Sequence, residues 1–168
     1  MRLLRLDVAA SLLFKGKTMF NVVLVEPEIP PNTGNIGRTC AATGCVLFLV
    51  GKLGFSTDDK HLKRAGLDYW KYIDVRYKDS LEELFENNPI ERFHFFTKKA
   101  SKVYSDVKYS LGDFLVFGRE TYGLPDELLE KYPENTRLIP TKNVRSINLS
   151  VSAGIATYEA LRQNKFAL

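Results

Sequence analysis

Three short stretches of this chain concentrate amides, hydroxyls and cations more densely than folding alone requires. Asn32-Thr33-Gly34-Asn35-Ile36-Gly37-Arg38 reads as the start of a helix capped by Asn32 or Thr33, with Asn35 on the same turn as Asn32 and Arg38 one turn in. Gly118-Arg119-Glu120-Thr121-Tyr122-Gly123-Leu124-Pro125 sets two glycines around a charged, aromatic turn. That pattern suits backbone bent close to a ligand, with Pro125 opening the next helix. The third stretch carries Lys142, Arg145 and Ser146 in a polar loop, then Asn148, Ser150 and Ser152 in the first turn of a helix that one or two of them would cap. A helix start rich in N–H groups and hydroxyls, leading into an apolar body, is suited to hold a polar ligand or a reacting hydroxyl. Each stretch also has a plainer reading: a well-capped core helix, a surface ion pair for Arg38, an ordinary strand-to-helix loop.

Composition narrows the chemistry. The chain has 168 residues, 45% of them hydrophobic, enough for one domain with a substantial core. Its two cysteines, Cys40 and Cys45, are too few for a disulfide scaffold, and with only His61 and His94 beside them they match no metal spacing, so no metal is expected. A reducing, cytoplasmic setting follows as the default. A formal charge of +4 permits an anionic partner without requiring one. No run approaches the roughly 18 apolar residues of a membrane span. Residues 1–18 read as a short amphipathic extension or an upstream start, with Met19 beginning the domain. The chain lacks G-x-G-x-x-G after its first strand, lacks G-x-x-x-x-G-K-[ST] throughout, and has no nucleophile motif, which weakens nicotinamide, ATP and hydrolase readings.

The elements that must position these residues alternate. Phe20 to Val25 and Val46 to Val50 are continuous apolar runs typical of strands covered on both faces. Between them Glu26 to Pro31 forms a rigid extended turn and Gly44 stops the first helix. A helix capped at Ser56-Thr57-Asp58-Asp59 ends at Gly66, a third strand covers Ile73 to Tyr77, and Ser80-Leu81-Glu82-Glu83 is a capping box for a helix to Asn87. Further strands run Phe93 to Thr97, Gly112 to Phe117 and Arg137 to Ile139, the last closed by Pro140. The last helix is apolar around nearly its whole circumference (Leu149, Val151, Ala153, Ile155, Ala156, Tyr158, Ala160), so it should be buried on most sides, by its own chain or by a second copy. This alternation predicts an α/β fold with a mostly parallel sheet flanked by helices.

Taken together, the three polar stretches resemble the three motifs of the SPOUT methyltransferases. Val25-Glu26-Pro27-Glu28-Ile29-Pro30 and Gly66-Leu67-Asp68-Tyr69 narrow the similarity to the TrmL (YibK-like) branch, the tRNA wobble-nucleotide 2′-O-methyltransferases, over Met19 to about Lys165. The resemblance implies a homodimer with a C-terminal deep trefoil knot that binds S-adenosyl-L-methionine, and leucine tRNAs as acceptors. It assigns Phe96, Thr97, Gly118, Glu120, Ile139, Ser146, Ile147 and Leu149 to the cofactor, Asn32, Asn35, Arg38 and Arg145 to the substrate, and Arg38, Asn148 and Ser146 to catalysis. The last helix would then be buried in the dimer.

Methyl transfer requires alignment of the ribose 2′-oxygen with an already electrophilic methyl group and loss of its proton. An arginine does not give up its proton in a protein, so Arg38 suits orienting a phosphate and stabilising a developing alkoxide. Lys60, Lys63, Arg64, Lys98, Lys99, Lys102 and Arg145 are candidate phosphate contacts. Two alternatives stand beside this reading: a methyltransferase of the same superfamily acting on ribosomal RNA or another tRNA position, and a non-catalytic RNA-binding protein.

Overall fold

The computed structural model describes residues 19–55 and 72–166. The N-terminal extension, the helix expected from Ser56 to Gly66 with Lys60, Lys63 and Arg64, and the Gly66-Leu67-Asp68-Tyr69 stretch lie outside the described residues.

Strand β1 (Asn21–Val25) and strand β2 (Val46–Val50) are buried at every position, as continuous apolar runs demand. Between them, helix α1 (Pro30–Thr43) begins three or four residues earlier than a cap at Asn32 or Thr33 would place it. Pro30 and Pro31 occupy its first turn, where the missing N–H groups cost nothing and the fixed φ is already helical. Ile29 is the cap, through its backbone alone, which leaves the Asn32 side chain available for another contact. Gly44 ends the helix in the left-handed conformation at φ 67°, as expected.

Beyond β2 come strand β3 (Val75–Lys78), helix α2 (Glu82–Phe85), strand β4 (Phe93–Phe96), strand β5 (Phe114–Phe117), helix α3 (Asp126–Lys131), strand β6 (Thr136–Arg137) and helix α4 (Leu149–Gln163). The expected capping box forms only in part. Glu83 reaches back, but to the Asp79 N–H at 2.8 Å and the Lys78 ammonium at 2.9 Å, and Leu81 is the cap residue. The helix stops at Phe85 because the Asn87 and Asn88 side-chain amides take the carbonyls of Glu83 and Leu84. Strand β5 starts two residues later than predicted, since Gly112 turns the chain at φ 85°. Pro125 caps α3 from outside its first turn.

The strands form one six-stranded sheet in the order β3-β2-β1-β5-β4-β6, with every pairing parallel. One face packs Val22, Leu24, Leu47, Leu49, Leu115 and Phe117 against Ile36 and Cys40 of α1 and Ala153, Ala156, Ala160 and Leu161 of α4. The other packs Val23, Phe48, Phe93, Phe95, Phe114 and Val116 against Leu81, Leu84 and Leu129. The small buried residues of α4 let it lie close to the sheet. Its outer side is open in the single chain, where Val151 is 51% and Tyr158 49% exposed, so the chain alone does not bury this helix on most sides.

A polar network pins the β6 edge. Buried Arg137 donates from Nε to His94 Nδ1 at 3.1 Å, and its terminal nitrogen donates to the carbonyls of Glu134 and Thr136. Because His94 Nδ1 accepts, Nε2 carries the proton and donates to Asp113 at 3.2 Å. Burial lowers the His94 imidazole below its ordinary range, and Arg137 adds to this against the pull of Asp113. The unfolded chain therefore binds this proton more readily than the folded one, so His94 supports folding above pH ~6.5 and the support is lost as pH falls. Urea unfolding is expected to show wild-type stability dropping between pH 7.5 and 5.5 by about 1 kcal/mol more than His94→Asn does. Equal slopes for the two proteins would contradict the neutral imidazole.

Candidate active site

All three polar stretches lead away from the carboxyl edge of the sheet. Strand β1 connects outward to β2, and β5 pairs with β1 on its other side, so the strand order turns between them. Open α/β sheets leave a ligand crevice at such a point.

The loops after these two strands exchange side chains. Arg119 donates from Nε to Glu26 Oε2 at 2.8 Å and also from its terminal nitrogen. The Glu26 carboxylate thereby holds the Arg119 guanidinium above its ordinary range. Thr121 donates from N and Oγ1 to Glu28 Oε2, at 3.2 and 2.7 Å. In the opposite direction, Glu120 accepts from the N–H groups of Glu28 and Ile29, at 2.8 and 3.2 Å, and from Asn32 Nδ2 at 3.0 Å. Glu26 adopts φ 47°, a left-handed conformation costly for a residue with a side chain, at the place where β1 must turn toward this contact.

Asn32 joins the third stretch to the other two. Its Oδ1 accepts from Asn148 Nδ2 at 2.9 Å, while Asn148 Oδ1 caps α4 by accepting from the N–H groups of Ser150 and Val151, at 2.8 and 3.4 Å. A carboxylate only accepts, so Glu120 fixes the orientation of the Asn32 amide and Asn32 in turn fixes that of Asn148. The surplus hydroxyls at the helix start are engaged locally: Ser150 Oγ donates to Asn148 Oδ1 at 2.6 Å and Ser152 Oγ to the Asn148 carbonyl at 3.2 Å.

Gly118 is required by a close approach, but of the chain to itself. A Cβ there would overlap the Gly123 carbonyl carbon and the Leu124 nitrogen, where the turn returns through paired Arg119 and Gly123 backbone bonds of 3.2 and 2.9 Å. Beside it, Phe96 stacks on Phe117 with ring centres 4.7 Å apart, and Ile139 and Leu149 pack half-buried against the same cluster. Thr97 donates its N–H to the Arg137 carbonyl at 2.9 Å, holding the β4 loop to the β6 loop.

Of the predicted site residues, hydrogen bonds join Asn32, Glu120 and Asn148, and one apolar cluster gathers Phe96, Ile139 and Leu149. Ile147 is half-buried, whereas Asn35, Arg38, Arg145 and Ser146 are exposed around these groups. Glu120 has its carboxylate filled by protein donors. Glu26, Glu28, Arg119 and Thr121 escaped sequence reasoning as members of the site, because no spacing announces a bond across more than 90 residues. Cys40 and Cys45 are free and buried, and burial raises both thiols, which keeps them unreactive. Among the described residues no group of acids, histidines and cysteines could hold a metal ion, and no helix is long and apolar enough to cross a membrane.

Replacing Asn32 by Ala strands both partners. We expect a loss of ~1–3 kcal/mol in urea unfolding, and a cost for Asn32→Ala with Asn148→Ala together that is smaller than the sum of the two. Strict additivity would mean the amides are not coupled.

The chain matches the SpoU rRNA Methylase family over residues 19–158. A protein of Listeria innocua serovar 6a is 56% identical over 150 residues, covering 87% of this chain and 89% of that protein. A Saccharophagus degradans protein named tRNA (cytidine(34)-2′-O)-methyltransferase is 49% identical over 151 residues, covering 89% of this chain and 98% of its own. A solved structure described as "Structural insights into the 2-OH methylation of C/U34 on tRNA" superposes with a TM-score of 0.83 at 43% identity, over 89% of this chain and 99% of that one. A family match across most of the chain, on a parallel sheet whose motif loops converge at one crevice, establishes that this protein belongs to the SpoU methylase family.

Proposed function

We propose that this chain is a cytoplasmic tRNA 2′-O-methyltransferase that transfers a methyl group from S-adenosyl-L-methionine to the ribose of the wobble nucleotide, cytidine or uridine 34, with leucine tRNAs as the acceptors that the motif resemblance implies. One observation carries the reading. The Glu120–Asn32–Asn148 chain draws three loops, from positions as far as 116 residues apart, to one point on α1, the helix that also carries Arg38.

S-adenosylmethionine supplies a methyl group already made electrophilic by its sulfonium, so the protein's work is alignment and proton handling. Half-buried Ile139, Ile147 and Leu149, with Phe96 behind them, fit the apolar faces of such a molecule, and the main chain at Thr97 and Gly118 fits its polar edges. Glu120 contributes indirectly, by holding its loop and Asn32 in place. From an exposed position on α1, the Arg38 guanidinium orients a phosphate and stabilises the oxyanion that develops at the 2′-oxygen. Asn148 donates one amide hydrogen to Asn32 and keeps a second for the hydroxyl, with Ser146 nearby in sequence as a further partner. Asn35, one turn before Arg38, and Arg145 complete the substrate side.

The same reading includes a C-terminal trefoil knot and a homodimer. For the knot, support comes from Leu138, which accepts from the Tyr104 N–H at 2.9 Å and donates to the Lys102 carbonyl at 2.8 Å. The chain thus leaves the β6 edge bound to the loop after β4 before it returns to α4 on the sheet. For the dimer, the open apolar side of α4 offers the surface. Lys98, Lys142 and Arg145 are exposed for RNA phosphates, whereas Lys99 and Lys102 are paired with Asp126 and Glu134.

Incubation of tRNA lacking the modification with labelled S-adenosylmethionine should place label on the 2′-oxygen of a wobble pyrimidine. Arg38→Ala is expected to lower the rate on the order of 10²-fold while cofactor affinity is retained. Label found in ribosomal RNA instead of tRNA would overturn the substrate, and absence of cofactor binding would overturn the enzyme.

A further inference from the structure

The turn between Gly118 and Leu124 is more rigidly held than its own backbone requires. Paired backbone bonds between Arg119 and Gly123 close it, and Gly123 takes φ 76° to do so. Arg119, Glu120 and Thr121 all turn their side chains back, to Glu26, to Asn32 with the adjacent backbone, and to Glu28. Tyr122 does the opposite. It is 86% exposed, the most open large hydrophobic side chain among the described residues, and makes no hydrogen bond or ring contact there. A mobile loop could fold such a ring onto a neighbouring surface; this loop, fastened on both sides of the ring, holds it outward.

An aromatic side chain on a rigid support, beside exposed cations, is the arrangement by which proteins hold unpaired nucleobases. Stacking works with any base, and a side chain with two χ angles loses little entropy when it stacks. The ring's position favours this ligand. Tyr122 lies two residues from Glu120, whose carboxylate holds Asn32, and Arg38 follows on the same helix about 9 Å of rise further on. Exposed Lys142 and Arg145 lie on the loop that ends at Asn148, which is also bonded to Asn32.

We infer that Tyr122 is a base-stacking platform that receives an unpaired nucleobase of the RNA, one or two positions from the methylated nucleotide, and so sets the register of the acceptor ribose. This rests on the RNA methyltransferase reading above. Tyr122 is a positioning residue: it touches a base, with no part in the methyl transfer itself. The ring is 86% exposed and makes no hydrogen bond or ring contact among the described residues, so its removal is expected to leave the fold intact.

The test compares wild type, Tyr122→Ala, Tyr122→Phe and Tyr122→Leu in methyl transfer to tRNA, with an anticodon stem-loop carrying 2-aminopurine next to the wobble position as a second probe. The Ala and Leu variants should raise KM for tRNA on the order of tenfold with kcat within about twofold, and the Phe variant should restore it. S-adenosylmethionine affinity should be the same in all four. The 2-aminopurine fluorescence should be quenched on binding wild type and Tyr122→Phe, and not on binding Tyr122→Ala. An unchanged KM and quench in Tyr122→Ala would overturn the platform while leaving the methyltransferase standing. So would a change in sedimentation of that variant without RNA, which would make the ring a contact between copies of the chain. A wild-type protein that methylates no tRNA would instead sink the underlying reading, a result distinguishable from either.

Discussion

The site depends on a single side-chain amide with a fixed orientation. Asn32 donates to a carboxylate on one side and accepts from a second amide on the other, so neither it nor Asn148 can flip without facing like against like. Partly removed from water, these bonds are costly to leave unmade, which couples three loops that share no stretch of sequence. Asn148 also caps α4, so displacement of Asn32 would propagate into the helix that covers one face of the sheet. The Glu26–Arg119 and Glu28–Thr121 contacts brace the same junction from outside, in a more solvated setting where each is individually worth less.

The sheet makes that junction possible. Six parallel strands bring every strand's carboxyl end to one edge, and the order β3-β2-β1-β5-β4-β6 places β1 and β5 side by side although more than 80 residues separate them. Two polar loops are thereby set against each other before any specific contact forms. The His94–Arg137–Asp113 network acts at the other flank, holding the two-residue strand β6 in register with β4 where backbone pairing alone is minimal. The start of the Ile139 loop is thus anchored by a buried, hydrogen-bonded cation as well as by apolar packing.

Helix α4 reconciles two demands. Its inner face is built from alanines that permit close packing, and its first turn is saturated by Asn148, Ser150 and Ser152, so polarity that looked excessive in the sequence is absorbed in a cap and a tertiary bond. What it leaves open is an apolar outer side carrying Val151 and Tyr158. The Arg119–Gly123 turn follows the same logic at smaller scale: inward side chains make it rigid, and rigidity determines what the outward ring can do.

Much of the architecture was legible in the chain itself. Continuous apolar runs such as Phe20 to Val25 and Val46 to Val50 can be little else than strands covered on both faces, and alternation of strand and helix signals fixes a parallel sheet, because burial is a local property of side-chain type. Gly44 as a helix stop and a cap among Asn148, Ser150 and Ser152 were readable for the same reason, since such roles involve neighbours within a few residues; the structure gives the cap to Asn148. The polar character of the three motif loops was visible too, and with it the family. Helix starts failed where backbone sterics at Pro30 overrode the polar residues behind it, and where Glu83 found the Asp79 N–H in place of its own helix cap. The partners of Asn32, Glu120 and Glu26, and the reason Gly118 must be glycine, were decided only by tertiary structure. The side-chain partnerships depend on contacts between segments that chain connectivity leaves far apart and that the parallel sheet brings together, whereas Gly118 is constrained by the return of its own turn onto Gly123 and Leu124, a backbone path that no residue type announces.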